Sequence, residues 1–177
     1  MPQVFSENSN YRSEIRAILR LHQLWLDGKG ESAEADALRD AADGPWHLLS
    51  DVERKRIWGL SQDLNSMTEP PNLGATEMNP QAQAQLVEAN EARQQGEWDR
   101  ALDLMRQWGK HFPPAMLSNL RGLLWSEAGD GETAVVFYEH AAHLEPSNGN
   151  YRAIWLDVLQ RADPSANGAA SPSPLHH

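Results

Sequence analysis

Two histidines and a glutamate in the second half of the chain have the residue types and the spacing of metal ligands. Glu139, His140 and His143 lie within about one turn of a predicted helix, and imidazole and carboxylate groups one turn apart can share a metal ion. The pattern places no further ligand beside them, and polar side chains are common on the solvent face of a helix. We therefore predict no metal site, and we interpret His176 and His177 as a tag remnant or an adventitious chelator.

A basic block, Arg54 to Arg56, follows Glu53 in an otherwise acidic chain. Such a block can bind phosphate or a peptide carboxylate, but on a capped helix it is more often a solvated face, which is what we predict here. The chain contains no Gly-rich phosphate loop after a strand, no G-x-S-x-G and no H-E-x-x-H sequence. We therefore predict no catalytic residue and no cofactor, and we expect that the protein is not an enzyme.

The charge and composition of the chain argue against several classes of partner. Its net charge is −10, whereas a nucleic-acid binder needs a clustered basic face and an anionic membrane also attracts basic surfaces. The chain has no run of about 20 apolar residues that would form a membrane helix, and its start, MPQVFSENSN, lacks the pattern of a secretory leader. It also has no Cys, which excludes disulfides and thiolate chemistry. We expect a cytoplasmic protein that binds neither nucleic acid nor membrane.

One sequence pattern occurs twice between residues 81 and 146. Ala101 and Ala134 are 33 residues apart, and so are Pro113 and Pro146. A period in the thirties, with a helix, a Gly-containing turn, a second helix and a terminal Pro, is typical of a solenoid of helical hairpins. The pattern therefore predicts two antiparallel helical hairpins.

The second copy resembles the tetratricopeptide repeat. That repeat has small and aromatic residues in its first helix, Gly at the turn, Ala and an aromatic residue in its second helix, and then Pro. The matching positions are Gly122, Trp125, Gly129, Ala134, Tyr138, Ala141 and Pro146. The first copy departs from the pattern at Ala92 and Met105, where aromatic residues are usual, and at Trp108, where a small one is. The resemblance implies an all-α fold of antiparallel hairpins, an α-solenoid, that binds another protein.

Three further helices are predicted ahead of the repeats. Apolar residues at helical spacing predict a helix over residues 10–27, and an Ala-rich segment predicts a second helix that Gly44 and Pro45 close. Ser50 begins a capping box, which predicts a third helix over residues 51–66. These three helices indicate a small helical head.

The predicted head contains three tryptophans. Trp25 falls on the apolar stripe of the first helix, and Trp46 and Trp58 are expected in the core or at the seam with the repeats. The stretch 38–64 also resembles a leader found ahead of repeats in bacterial proteins of uncharacterised function. The predicted organisation is a head over residues 1–67, a linker over 68–79, repeats with a capping helix over 80–162 and a disordered tail over 163–177.

The resemblance also implies which residues line the binding groove, because the first helices of the repeats face it. In the two repeats these positions are Gln83, Leu86, Asn90, Arg93, Met116, Asn119, Leu123 and Glu127, and in the capping helix they are Asn150, Ala153, Asp157 and Arg161. Repeats that clamp the acidic C-terminus of heat-shock chaperones carry a basic residue one turn before the position of Asn90, where this chain has Leu86. We therefore expect a mixed polar and apolar groove for a peptide or helix of a protein partner.

Two functions fit these expectations. The first is a non-enzymatic adaptor that binds a segment of another protein in the groove. The alternative is a structural subunit of a larger homo- or hetero-oligomeric assembly, because fewer than three repeats rarely stand alone. The size of the purified protein separates the two, since an adaptor should be a well-behaved monomer or dimer.

Overall fold

The computed structural model describes Phe5, residues 8–70 and residues 78–162, and over these residues the protein is all-α, without a strand. The helices are α1 (Ser9–Leu26), α2 (Ala33–His47), α3 (Asp51–Thr68), α4 (Pro80–Gln94), α5 (Trp98–Trp108), α6 (Pro114–Glu127), α7 (Gly131–Leu144) and α8 (Gly149–Ala162), and a 3₁₀ turn at Gly109–His111 follows α5. The predicted all-α class is confirmed for this part of the chain. Most of the predicted linker and the whole predicted tail lie outside the described residues.

Local sequence signals fix where the helices begin. The Ser50 hydroxyl accepts a hydrogen bond from the Glu53 amide, and the Glu53 carboxylate accepts one from the Ser50 amide at 2.8 Å, which is the predicted capping box. At α4 the Asn79 side chain accepts a hydrogen bond from the Ala82 amide at 2.8 Å, and Pro80 occupies the first turn. Both start signals are confirmed.

The end of α2 differs from the prediction. The helix does not stop at Pro45 but continues to His47, and the Leu48 amide then bonds to the Pro45 carbonyl. Proline has a helical φ, and although it removes one hydrogen bond and crowds the carbonyl one turn earlier, only Trp46 and His47 follow it before the helix ends. The prediction that Gly44 and Pro45 close this helix is therefore wrong by about one turn.

The second half of the protein is built from paired helices. Helix α4 packs against α5, α6 packs against α7, and α8 packs on the other side of α7. Gly96 and Gly129 have positive φ angles of 74° and 87° at the turn within each pair, a conformation that glycine adopts without steric cost. Gly122 on α6 has no room for a side chain, because an added Cβ would lie 2.8 Å from the Tyr138 ring on α7. Small residues thus set the close approach of the two helices.

The head and the paired helices share one hydrophobic core. This core contains Tyr11, Ile57 and Leu60 of the head together with Trp98 and Trp125 of the paired helices. Phe5, ahead of the first helix, is also buried in it. The ring of Phe5 packs edge-on against Trp98 and Trp125, at centroid distances of 6.0 and 5.5 Å.

Ion pairs also connect the head to the paired helices. Arg56 on α3 makes two hydrogen bonds to the Asp99 carboxylate on α5, at 2.8 and 2.9 Å, and its guanidinium lies 3.4 Å from the centre of the Phe5 ring. Arg16 on α1 contacts Glu132 on α7 at 2.9 Å. The prediction that the basic block forms a solvated face is therefore wrong for Arg56, because the partners that cover it are distant in sequence.

Two tryptophans of the head are exposed, although Trp25 lies on the predicted apolar stripe and Trp58 is predicted in the core or at the seam. Trp25 is 63% exposed and Trp58 is 64% exposed, whereas Trp46 is half-buried against the core. The buried stripe of α3 runs through Ile57, so Trp58, one position later, points about 100° away from it. Among the described helices, none has both the length and the apolar character needed to cross a lipid bilayer.

Candidate functional site

A groove lies between α4, α5 and α6 and encloses about 540 Å³. Four of the predicted groove residues line it, namely Leu86, Asn90 and Arg93 of α4 and Leu123 of α6. The three α4 positions follow one another at intervals of four and three residues, which places them on one face of the helix. The structure therefore brings the central part of the predicted site together.

The floor of the groove is apolar. It is formed by Ala89 and Met105, which are buried, and by leucines of α4 and α6 that are partly exposed. Val87 lies at the edge with 59% of its surface exposed. An apolar cleft of this size with a few polar groups at its edge has the composition of a ligand-binding site.

The rim of the groove is polar and held by hydrogen bonds. The Arg93 guanidinium donates two hydrogen bonds to the Asn90 side-chain oxygen, at 2.9 and 3.0 Å, and a third to the Glu127 carboxylate on α6 at 2.6 Å. Glu127, another predicted groove residue, thus joins the rim through Arg93. This arrangement fixes the guanidinium between α4 and α6 and orders the rim.

Four predicted residues of the repeats do not line this groove, namely Glu127, which contacts it only through Arg93, and Gln83, Met116 and Asn119. The Gln83 side chain donates a hydrogen bond to the Met78 carbonyl at 3.2 Å, near the start of α4. Met116 and Asn119 are half-buried on α6. The Asn119 side-chain oxygen is buried and has no hydrogen-bond partner among the described residues.

The predicted residues of the last helix also lie apart from the groove. Asp157 and Arg161 form an ion pair with each other at 2.8 Å, and both are largely exposed. Asn150 and Ala153 are likewise exposed. Helix α8 packs on α7, whereas the groove is formed by α4, α5 and α6, so the structure does not bring these residues to it.

Several residues that line the groove were not predicted from the sequence. They are Val87, Ala89, Glu91, Gln94, Met105, Leu120 and Leu124. On α4 the missed positions 87, 91 and 94 repeat the spacing of the predicted positions 86, 90 and 93, one residue later. The groove therefore covers a wider strip of α4 than a single line of residues, and the apolar Val87 at this spacing is the signal that could have shown it.

The histidines that resemble metal ligands have other neighbours. The His140 Nδ1 atom lies 2.7 Å from the Ser118 hydroxyl on α6, and the His143 ring lies 5.6 Å from the ring of Trp155 on α8. Within the described ranges no three His, Asp or Glu side chains are arranged to hold a metal ion.

Comparison of the chain with protein-family models, with curated proteins and with solved structures finds no match.

Proposed function

We propose that the protein is a non-enzymatic adaptor of the tetratricopeptide-repeat kind that binds a helix or peptide of a partner protein in the groove between α4, α5 and α6. The observation that carries this proposal is the groove itself, which combines an apolar floor with an ordered polar rim. A cytoplasmic location belongs to the same proposal and is supported by the absence of Cys from the sequence.

The apolar floor and the charges of the groove indicate what kind of partner segment would fit it. Its apolar floor fits the apolar face of an amphipathic helix, which presents side chains at intervals of three and four residues. Glu91 at the groove and Glu127 at the rim carry negative charge, and Arg93 is already held by Asn90 and Glu127. The expected partner is therefore an amphipathic segment with Leu-like anchors and Lys or Arg residues beside them.

The test is a selection of binding peptides from a displayed library of amphipathic sequences, followed by measurement of the dissociation constant. The variant Val87→Lys places a positive charge at the edge of the groove on a residue that is 59% exposed, and Val52→Lys makes the same change on α3 at a residue that is 60% exposed. A positive charge repels the Lys or Arg residues of the partner segment, and its burial against apolar side chains is unfavourable. We expect Val87→Lys to weaken binding about tenfold or more, and Val52→Lys to leave it unchanged.

Two results would contradict the proposal. One is a library that yields no binder for a folded, monomeric protein. The other is a set of binders whose affinity falls equally in the two variants, because the peptides would then bind outside the groove.

The alternative function, a structural subunit of a larger assembly, is favoured by a different observation. Trp25 and Trp58 are each more than 60% exposed on the head, and large exposed aromatic residues often mark protein interfaces. Light scattering after size-exclusion chromatography distinguishes the two functions. The adaptor is expected to elute as a monomer or dimer, whereas a subunit purified alone should aggregate, and Trp58→Gln should reduce that aggregation.

A further inference from the structure

Helix α8, the last helix of the described chain, carries an apolar stripe on its outer surface. Leu156 and Leu159 are 43% and 41% exposed. Together with Arg152 they follow one another at intervals of four and three residues, which places the three residues on one side of the helix. The face that packs on α7 runs instead through Trp155 and the buried Val158. We call Arg152, Leu156 and Leu159 the α8 stripe.

An apolar stripe is unusual on the last helix of a stack of helical pairs. Such a helix needs a polar outer face, because no further pair covers it. Residues 163–177, which follow α8, contain one large apolar residue, Leu175. That part of the sequence therefore offers little apolar surface to cover both Leu156 and Leu159.

The α8 stripe and the groove between α4, α5 and α6 carry opposite charges that are both unpaired. Arg152 is exposed and has no ion-pair partner among the described residues, and the same is true of Glu91 at the groove. By contrast, Asp157 and Arg161 on another side of α8 pair with each other at 2.8 Å. Free charges of opposite sign on two surfaces attract each other and fix their register.

The spacing of the α8 stripe matches that of the groove. Val87 and Glu91 on α4 are four residues apart, and so are Arg152 and Leu156 on α8. Four residues correspond to about one helical turn, so a helix antiparallel to α4 can place Leu156 beside Val87 and Arg152 beside Glu91 at the same time. The α8 stripe therefore has the leucine anchors and the basic neighbour that the groove is expected to bind.

We propose that the α8 stripe of one copy of this protein docks in the groove of a second copy. Helix α8 packs on α7 and lies apart from the groove of its own chain, so the contact requires another molecule. Each copy offers one stripe and one groove, so the contact is heterologous and association continues beyond a dimer as the concentration rises.

This inference rests on the proposed function, because it places a helix of this chain in the groove proposed for the partner segment. A single helix on an open groove forms a small interface, and small interfaces belong to weak, transient contacts. A partner segment that binds more tightly would displace the second copy, so self-association and partner binding exclude each other.

The experiment is sedimentation velocity of the purified full chain from low to high micromolar concentration. We expect the average mass of the parent protein to rise with concentration. Val87→Lys, which repels Arg152 at the groove, and Leu156→Glu, which places a negative charge in the α8 stripe, should each weaken association about tenfold or more. A mixture of the two variants should form a one-to-one dimer and nothing larger, because it combines one intact stripe with one intact groove.

Two control variants make the same changes outside the contact. Ile154→Glu lies on α8 at a residue that is 37% exposed, and its side chain points about 200° away from that of Leu156. Val52→Lys lies on α3 at a residue that is 60% exposed. Both control variants should associate as strongly as the parent protein.

A charge exchange tests the register without changing an apolar residue, and it decides the question if Leu156→Glu fails to fold. Arg152→Glu and Glu91→Arg should each weaken association about fivefold. A chain that carries both changes should associate as strongly as the parent protein, because the two charges again attract each other.

The inference is overturned if the parent protein stays monomeric at the highest concentration, or if the mixture of variants forms no dimer and the charge exchange restores nothing. It is also overturned if the two control variants lose association equally, because the contact then lies elsewhere. Failure of the proposed function is a separate result. If peptides selected from the library bind the parent protein but not Val87→Lys, the groove remains a binding site even when no self-association is found.

Discussion

At the scale of single residues, Asp63 has the most demanding environment in the described chain. Its carboxylate is buried and is held by Arg106 of α5 and Arg121 of α6. Gly59 gives Arg106 access to it, because a Cβ at Gly59 would lie 2.5 Å from the Arg106 guanidinium. One carboxylate thus joins three helices.

Loss of this carboxylate should destabilise the protein strongly. Asp63→Ala leaves the buried Arg121 without its counter-ion, and removal of one partner from a buried pair costs about 3–5 kcal/mol. Asp103→Ala is the control, because Asp103 also pairs with Arg106, at 2.6 Å, but its side chain is 47% exposed, and such pairs contribute about 0–1 kcal/mol. Urea unfolding measures the free energy of unfolding of both variants. Similar losses in the two variants would show that Asp63 has no special role.

His140 should make stability depend on pH. Burial lowers its pKa in the folded protein to about 4, from an ordinary value of 6.5. The unfolded chain therefore binds a proton at higher pH than the folded protein does, so the stability present above pH 6.5 is lost as the pH falls towards 4. Urea unfolding should show that the free energy of unfolding falls more between pH 7 and pH 5 for the parent protein than for His140→Gln. Equal losses would mean that other groups cause the pH dependence.

At the scale of helices, the caps and the apolar spacing in the sequence were sufficient to predict the elements. Ser50 and Asn79 begin α3 and α4 as predicted, because capping depends only on neighbours a few residues away. Pro45 misled the prediction, since the proline removes one hydrogen bond of α2 without ending the helix, which continues to His47. Boundaries that depend on local chemistry were therefore predictable to within about one turn.

The contact between α6 and α7 can be tested at one glycine. Gly122→Ala would place a Cβ 2.8 Å from the Tyr138 ring, and overpacking of a core costs about 1–3 kcal/mol. Gly131→Ala is the matched control at the start of α7, where a Cβ meets nothing within 4 Å, and alanine there should stabilise by about 0.4–1 kcal/mol. The midpoint temperature of thermal unfolding should fall for Gly122→Ala and rise for the control variant. A stabilised Gly122→Ala would show that α6 and α7 approach less closely than described.

At the scale of the whole molecule, the seam between the head and the paired helices could not be read from the sequence. Arg56 looked like part of a solvated basic block, and nothing in the first ten residues indicated that Phe5 is buried, because their partners Asp99 and Trp125 are distant in sequence. Of the residues that the repeat resemblance places in a groove, Leu86, Asn90, Arg93 and Leu123 line one cavity. The wall of the groove on α6 depends on how the helix pairs pack against each other, and no local sequence pattern specifies that packing.

The shared core predicts that the protein unfolds as one unit. The head and the paired helices are joined by buried apolar side chains and by the pairs of Arg56 and Asp63, so neither part should remain folded alone. Urea transitions followed by circular dichroism and by tryptophan fluorescence are expected to coincide. Two separated transitions would mean that the head and the paired helices are independent domains.

The most direct test of the proposed function is a methyl-NMR titration of the protein with a peptide selected from the amphipathic library. We expect the largest shifts at the methyl groups of Leu86, Val87, Leu120 and Leu123, which line the groove. The methyl signals of Leu26 and Val52, which are exposed on the head, should stay unchanged. Shifts concentrated on the head, with the groove signals fixed, would contradict the proposed function and would place the binding surface around Trp25 and Trp58.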